Sequence, residues 1–325
     1  FRCRFALSDE DGSARQVDPD TGVCCPESVA VCAMASPDPL FSVRNNFYLG
    51  AYQTAISDAS SLTGLSEDQK LERDTFVYRS YVELGSYEMV LSEIPADAPP
   101  PLAAVRQLAS YHKAGPSPSS PVPDALEAGL SDGALSSDPT YLYVTALVRF
   151  LRGDAAGALR LAGPARTLEL LALSVQVMLS LHRPDAAERQ LRAMAAIDDD
   201  ATLTQLAGAW VALAAGGPRV REAASIYQEL GDRFAWTPRL HAGLASAQAC
   251  MGRWEDAEAE LLQAVEKNPK DPDSLANLAV VSLHLGKPAG RYLGVLKDVA
   301  PSHALLERRA AAEEAFDRAA SGITA

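Results

Sequence analysis

Basic residues are under-represented in this 325-residue chain, and their shortage excludes two classes of partner. There are 29 lysines and arginines against 42 aspartates and glutamates, which gives a formal net charge of -13. A nucleic-acid groove and an anionic membrane face both require a basic protein surface. We therefore expect a protein partner, no nucleic acid, and no direct adhesion to a membrane.

Long apolar runs are also missing. The longest, at residues 168–181, contains a glutamate and is shorter than the roughly 20 apolar residues that a membrane-spanning helix needs. Hydrophobic residues nevertheless make up 48% of the chain, which is enough for a large core. The composition therefore predicts a soluble protein.

Cysteine is scarce beyond the first residues. Before Met34 the chain has four of its five cysteines, namely Cys3, Cys24, Cys25 and Cys32. Only Cys250 follows, which fits a reducing compartment. We interpret residues 1–33 as a disordered extension or a non-native leader. A metal or disulfide cluster is the alternative, although the spacings match no ligand pattern, and no signal or transit peptide fits because acids are frequent and no apolar core region exists.

The motifs of common catalytic and cofactor sites are absent as well. The five histidines form no His-x-x-x-His pair, and the chain has no HExxH, GxxxxGK(S/T) or GxSxG motif and no GxGxxG after a strand. The run Asp198 to Asp200 could form a metal cluster, but we interpret it as the end of one helix and the start of the next. We therefore expect that the protein is not an enzyme and that it has no catalytic residue, no bound metal and no cofactor.

What the chain does contain is a turn that recurs at a nearly constant interval. Five such turns are marked by Gly50, Gly85, Gly153, Gly252 and Gly286. The first two are 35 residues apart, the next interval of 68 is two periods of 34, and the last interval is 34. His182 and Gly217 mark two further turns in the long gap before Gly252. A period of this length is the signature of a solenoid.

Each interval has the same two-helix pattern. About 14 residues of helical pattern precede a turn, and a second amphipathic helix follows it. An alanine falls five or six residues after the turn, at Ala55, Ala158, Ala187, Ala223 and Ala257. A small residue there lets two antiparallel helices approach closely. In the most regular unit, Trp254 and Ala264 complete the pattern, and Pro269 ends the second helix.

This pattern resembles the tetratricopeptide-repeat family. The resemblance is carried by Leu244, Ala245, Gly252, Trp254, Ala257, Leu261, Ala264 and Pro269. It implies an all-α fold, a right-handed superhelical solenoid of helix–turn–helix units. We expect one such solenoid over residues 34–320 and a tail at 321–325. A helical bundle with chance glycines is the alternative.

One segment departs from the repeat. Residues 95–124 are rich in proline and serine, and we expect a helix at 102–113 followed by a long surface loop. A linker between domains is the alternative interpretation, but the helices on either side keep the same register.

The last unit also departs from the pattern. Arg291 stands where the alanine is expected. We expect a C-terminal capping helix at 302–320, with Ser302 as its N-cap and with Leu305, Leu306 and Phe316 facing inward.

In tetratricopeptide solenoids the first helix of each pair lines a concave groove. Placing that register on this chain gives a candidate partner groove formed by Tyr143, Leu147, Phe150, Leu151, Ala207, Val211, Ala214, Cys250, Val280 and Leu283. Such an apolar face is normally covered by a partner helix or extended segment. For each of these residues, a place in the core between helices is the alternative.

A second type of partner is conceivable on the same face. Tetratricopeptide co-chaperones hold the C-terminal carboxylate of a chaperone with lysine, asparagine and arginine side chains. Here Arg79 and Arg239 are isolated in the sequence, and an acidic protein repels an acidic tail. A peptide-binding adaptor or co-chaperone is therefore kept only as the alternative function.

Two segments carry a more specific resemblance. DPLFSVRNNFYLGAYQTAISDAS at 38–60 and DDDATLTQLAGAWVALAAGG at 198–217 are similar to the signature stretches of the epsilon-subunit family of coatomer, the COPI vesicle coat. The resemblance covers about residues 37–320 and is weakest in the proline-rich region. It implies a structural coat subunit that binds the C-terminal region of the alpha subunit and functions in retrograde Golgi-to-ER and intra-Golgi transport. It also implies a cytoplasmic protein, associated with Golgi membranes and COPI vesicles only through the coat.

Overall fold

A computed structural model describes residues 38–115, 121–163 and 167–323, and the expectations about residues 1–33 lie outside these ranges. From Asp38 onward the chain forms one compact unit. The described residues contain no strand. Their α-helices are α1 (Phe41–Leu49), α2 (Tyr52–Ser61), α3 (Glu67–Glu83), α4 (Tyr87–Glu93), α5 (Pro100–Ala114), α6 (Val122–Gly129), α7 (Gly133–Ser137), α8 (Pro139–Leu151), α9 (Ala155–Ala162), α10 (Leu168–Ser180), α11 (Pro184–Ile197), α12 (Thr202–Ala215), α13 (Val220–Arg233), α14 (Pro238–Cys250), α15 (Trp254–Lys267), α16 (Pro272–His284), α17 (Gly290–Val299) and α18 (Ala304–Ile323), with a 3-10 helix at Gly217–Arg219 before α13.

The helices pack in pairs, each pair against the next along the chain. The first helices of the pairs are α1, α3, α5, α8, α10, α12, α14 and α16, and the second helices are α2, α4, α6, α9, α11, α13, α15 and α17. The predicted all-α solenoid is therefore the observed architecture.

The turns within the pairs have the conformation that the repeat predicts. Gly50, Gly85, Gly153, Gly252 and Gly286 all have φ between 69° and 86°. This left-handed region favours glycine because a Cβ atom crowds the following carbonyl oxygen. His182 occupies the equivalent position with φ 56°, so this unit keeps the turn geometry without the glycine.

The repeated alanines lie at the contacts between paired helices. Ala187, Ala223, Ala257 and Ala264 are all 0% exposed. Ala257 packs in one cluster with Ala245, Leu261 and Leu278, which belong to three successive helices. Trp254 stacks on His284 of the next pair, with ring centroids 3.9 Å apart. These alanines are therefore buried where successive helices pack against each other.

The proline-rich segment contains more helix than predicted. The helix expected at 102–113 spans Pro100–Ala114. Pro100 and Pro101 are tolerated because the first turn of a helix has no intrahelical partner for their missing N–H groups. The next helix begins at Val122, so helix extends into both ends of the region predicted as a loop and leaves residues 115–121 between the two helices, of which 116–120 lie outside the described ranges.

The C-terminal helix differs from the predicted cap. It starts at Ala304, and the His303 ring, rather than Ser302, accepts the N–H of Leu305 at 3.2 Å. Leu305 and Leu306 pack on the last pair as expected, but Phe316 is 72% exposed. The inward orientation predicted for Phe316 is wrong because α18 is solvent-exposed from Glu307 to Ala319. Within the described chain, no helix is long and apolar enough to cross a bilayer.

The solenoid curves until its first helix meets later ones. Leu49 at the end of α1 is buried in one cluster with Leu240 and Leu244 of α14, and α1 also contacts α12. The hydroxyl of Thr237 donates to the carbonyl oxygen of Leu49 at 2.6 Å. The hydroxyl of Thr202 donates in the same way to the Asn45 side chain. The curvature thus encloses an interior lined by the first helices.

Candidate partner-binding groove

Two neighbouring cavities occupy this interior, and we call them together the central groove. The first cavity measures about 560 Å³ and lies mainly against the N-terminal halves of α1, α3, α5, α8, α10 and α12. The second measures about 430 Å³ and extends along the same helices to the start of α14. The groove is therefore built by the N-terminal helix α1 together with later helices as far as α14.

An ion pair stands where the two cavities meet. Arg79 Nη1 lies 2.9 Å and 3.2 Å from the two carboxylate oxygens of Glu169, and the Tyr48 hydroxyl donates to Glu169 at 2.9 Å. The Arg79 guanidinium is 4.6, 5.2 and 4.9 Å from the ring centres of Phe47, Phe76 and Tyr143. Cation–π contacts of this kind are strongest where water is excluded, and the Arg79 side chain is only 5% exposed.

Electrostatics fix the charge states of this cluster. Burial alone would lower the pKa of Arg79, but the negative charge of Glu169 raises it above its usual value. Burial raises the pKa of Tyr48, and Glu169 raises it further. Burial also raises the pKa of Tyr143, although Arg79 opposes this. At neutral pH the arginine is charged and both tyrosines are neutral.

The walls of the second cavity are aromatic and aliphatic. Tyr52, Tyr143, Leu147, Leu206 and Trp210 line it. The other charges in this cavity are paired, since Arg239 Nη2 lies 3.6 Å from Glu83 Oε2. The Arg239 guanidinium also lies 5.7 Å from the centre of the Tyr52 ring. The cavity can therefore accept apolar or aromatic side chains, and its own charges need no counterion.

The first cavity has a surplus of carboxylates. Five carboxylate side chains line it, those of Asp38, Asp68, Glu72, Glu169 and Asp198, against the two arginines Arg44 and Arg79. Arg44 is engaged by Asp38 and by Glu72, the latter at 3.3 Å. Burial raises the pKa of Glu72, Arg44 opposes this, and the negative charges of Asp38 and Glu169 add to the increase. This end of the groove is therefore acidic.

Of the predicted groove residues, only Tyr143 and Leu147 line these cavities. Ala207 and Val211 are 0% exposed, in a core cluster with Val175 and Met194. Their assignment to an open groove is wrong because α12 is packed between α10, α11 and α13, so an alanine or valine on those faces is covered.

The other predicted groove residues lie outside the central groove. Phe150 is half-buried, and Leu151, Ala214, Cys250, Val280 and Leu283 are exposed. None of these lines either cavity. They remain surface positions whose contact with a partner is a prediction.

Sequence reasoning missed several groove residues. The prediction that Arg79 and Arg239 are isolated is wrong, because Glu169 pairs with Arg79 and Glu83 pairs with Arg239. One signal could have identified Glu169, since it is the lone charge in the apolar run 168–181. A carboxylate in such a run needs a buried partner.

The described residues hold no group of three or more histidine, cysteine, aspartate or glutamate side chains placed to bind a metal ion. In the run after α11, the Asp198 carboxylate accepts the N–H of Asp200 at 3.1 Å. It thus orders the connection between α11 and α12.

Comparison with known proteins identifies relatives over most of the chain. The family model described as coatomer epsilon subunit matches residues 36–324. Coatomer subunit epsilon-1 of Oryza sativa subsp. japonica is 45% identical over 290 residues, which cover 89% of this chain and 100% of the rice protein. Coatomer subunit epsilon-1 of Arabidopsis thaliana is 43% identical over 289 residues, with 89% and 98% covered.

Solved structures share the fold at low sequence identity. Cut9-Hcn1, a hetero-tetramer of the APC/C, aligns with TM-score 0.57 and 13% identity over 82% of this chain and 54% of that one. A tetratricopeptide repeat protein from Parabacteroides merdae aligns with TM-score 0.55 and 12% identity over 83% and 96%. These similarities confirm the tetratricopeptide-like fold.

Proposed function

The chain belongs to the coatomer epsilon subunit family, and from this premise we propose that its central groove binds the C-terminal region of the coatomer alpha subunit. Membership of the family makes the protein a structural component of the COPI coat on Golgi vesicles, and neither the family nor the fold is that of an enzyme. The proposal concerns which subunit it holds and where.

The observation that supports this site is the enclosed groove with aromatic walls. Tyr143, Tyr52 and Trp210 come from three different helices and line one cavity. Aromatic side chains with few rotatable bonds supply large contact area at low entropic cost, and they dominate binding energy at many interfaces. Because the solenoid already closes around the cavity, little ordering is needed when a partner binds.

The co-chaperone alternative has less support from the same site. A carboxylate clamp needs cationic side chains that are free to bind a terminal carboxylate. In the groove, Arg79 already has Glu169, and Arg239 already faces Glu83. A peptide ending in a carboxylate would have to break these pairs and would also meet the acidic first cavity.

The cellular role follows from the proposed partner. A scaffold that holds the C-terminal region of the alpha subunit stabilises the coat, and through it supports retrograde Golgi-to-ER and intra-Golgi transport. Its membrane association is then indirect, through the other coat proteins. The acidic net charge of -13 supports indirect association, because an anionic bilayer repels an acidic protein.

Co-expression with a C-terminal fragment of the alpha subunit tests the proposed partner. We expect a 1:1 complex on size-exclusion chromatography with light scattering. Gln176 is exposed on the second cavity, so Gln176→Arg should weaken binding at least tenfold without changing the melting temperature, because it puts a charge where apolar side chains bind. Gln263 on α15 is also exposed and lines neither cavity, so Gln263→Arg is the matched control. Separate elution of the two wild-type chains would refute the proposed partner.

A further inference from the structure

The two halves of the central groove differ in charge, and this difference describes the partner that they fit. Carboxylates outnumber arginines five to two around the first cavity. In the second cavity Glu83 and Glu169 balance Arg79 and Arg239. Charge complementarity across an interface fixes the register of a bound segment and suppresses wrong partners.

Two of the carboxylates that line the first cavity lie at helix ends. Asp68 is in the first turn of α3, and Asp198 directly follows α11. Both are exposed. Asp68 lies at a helix N-terminus, where the backbone dipole stabilises a negative charge. Glu72 lies deeper, half-buried, and shares its arginine with Asp38.

The rest of the first cavity is shaped for a side chain with an apolar stem. Phe41, Leu71 and Leu168 line it beside the carboxylates. The Thr167 hydroxyl also lines it and has no hydrogen-bond partner among the described residues. Lysine and arginine combine a long aliphatic stem with a charged end, so they pack on apolar walls while the charge meets carboxylates.

We propose that the segment of the alpha subunit in the groove places a lysine or arginine in the first cavity, against Asp68, Glu72 and Asp198, and its apolar or aromatic side chains in the second. This inference rests on the function proposed above and adds the chemistry and direction of the bound segment. An acidic segment would be repelled at the first cavity. A basic side chain in the second cavity would lose its hydration without finding a free carboxylate, because both carboxylates there are paired.

The double variant Asp68→Asn, Asp198→Asn tests this directly. It removes two exposed charges and leaves the buried pair Arg79–Glu169 intact. The matched control is Asp124→Asn, Asp298→Asn, which changes the net charge equally at exposed positions that line neither cavity. Binding to the alpha-subunit fragment is measured by surface plasmon resonance at two salt concentrations, and melting temperatures check the fold.

We expect the groove variant to bind about fivefold more weakly at low salt, mainly through a slower association rate, with a smaller salt dependence than wild type. The control should bind like wild type. If the groove variant binds as tightly as wild type at both salt concentrations, this inference is overturned and the proposed partner still stands. No binding by wild type would overturn the proposed partner, and this inference with it.

Discussion

The Thr237 hydroxyl donates a hydrogen bond of 2.6 Å to the carbonyl oxygen of Leu49, although 188 residues separate them. The same hydroxyl accepts the N–H of Leu240 at 3.3 Å and so caps α14. Leu49 is the last residue of α1, where the carbonyl has no intrahelical partner. One side chain therefore serves both as a helix cap and as a bond that closes the superhelix.

We predict that Thr237→Val lowers the free energy of unfolding by about 2 kcal/mol, because it removes a helix cap and leaves a buried carbonyl unpaired. Urea unfolding would measure the loss. Thr167 is the matched control: it is the N-cap residue of α10 but makes no capping hydrogen bond, so Thr167→Val should change stability little. Equal losses for the two variants would contradict a role in closure.

Glu169→Gln should destabilise the protein by about 3 kcal/mol. The substitution leaves the Arg79 cation buried without its counterion, and breaking one side of a buried pair is costly for that reason. Chemical denaturation followed by circular dichroism measures this loss of stability. Glu67→Gln breaks the exposed Lys70–Glu67 pair and removes one charge from the first turn of α3, so its cost should be much smaller than that of Glu169→Gln. A similarly small effect of Glu169→Gln would show that the central pair does not hold the interior together.

Ala257→Arg should prevent normal packing of its repeat. Ala257 of α15 is fully buried against α14 and α16, so the larger charged side chain must displace a helix or lose its hydration, at a cost of about 4 kcal/mol or more. Glu255→Arg, on an exposed position of the same helix, is the control. Unchanged melting and partner binding for Ala257→Arg would refute the repeat register.

The turn positions allow a test in both directions. Gly252 has φ 77° with open space around the place of a Cβ atom, so Gly252→Ala should destabilise by about 1 kcal/mol through backbone strain alone. His182 already bears that strain at φ 56°, and His182→Gly should stabilise by a similar amount. Thermal unfolding of both variants measures the difference, and shifts of the same sign would contradict this account.

His112 should make stability depend on pH. Burial lowers the pKa of His112 below 6.5, although the charge of Glu83 opposes this. At pH values between the folded-state pKa and about 6.5, the unfolded chain therefore binds more protons than the folded chain. The contribution of His112 to the free energy of unfolding is complete above about pH 6.5 and is lost as the pH falls towards the folded-state pKa.

His112→Phe should keep the stacking on Tyr87 and remove this pH dependence of the stability. Urea unfolding at about pH 7.5 and about pH 5.5 measures it, on either side of the ordinary histidine pKa, and an unchanged pH dependence in the variant would exclude His112 as its source.

How much of the site the sequence could predict depends on the residue. Tyr143 and Leu147 are predicted in the groove and line it, since the helical register places them on the inner side of α8. Ala207 and Val211 are predicted there by the same register and are buried. The register specifies which way a side chain points, but only the position of the neighbouring helices decides whether it is covered.

The sequence by itself determined the repeating unit and the family. Contacts between neighbouring helices recur about every 34 residues, and most recurrences leave a glycine at a turn or an alanine at a close approach, as at Gly252 and Ala257. Tertiary structure alone decided that α1 meets α12 and α14, that Arg79 finds Glu169, and that Phe316 stays in solvent. The physical reason is that curvature accumulates from a small rotation at every repeat. No single repeat determines that sum, and the contacts of α1 with α12 and α14 depend on it.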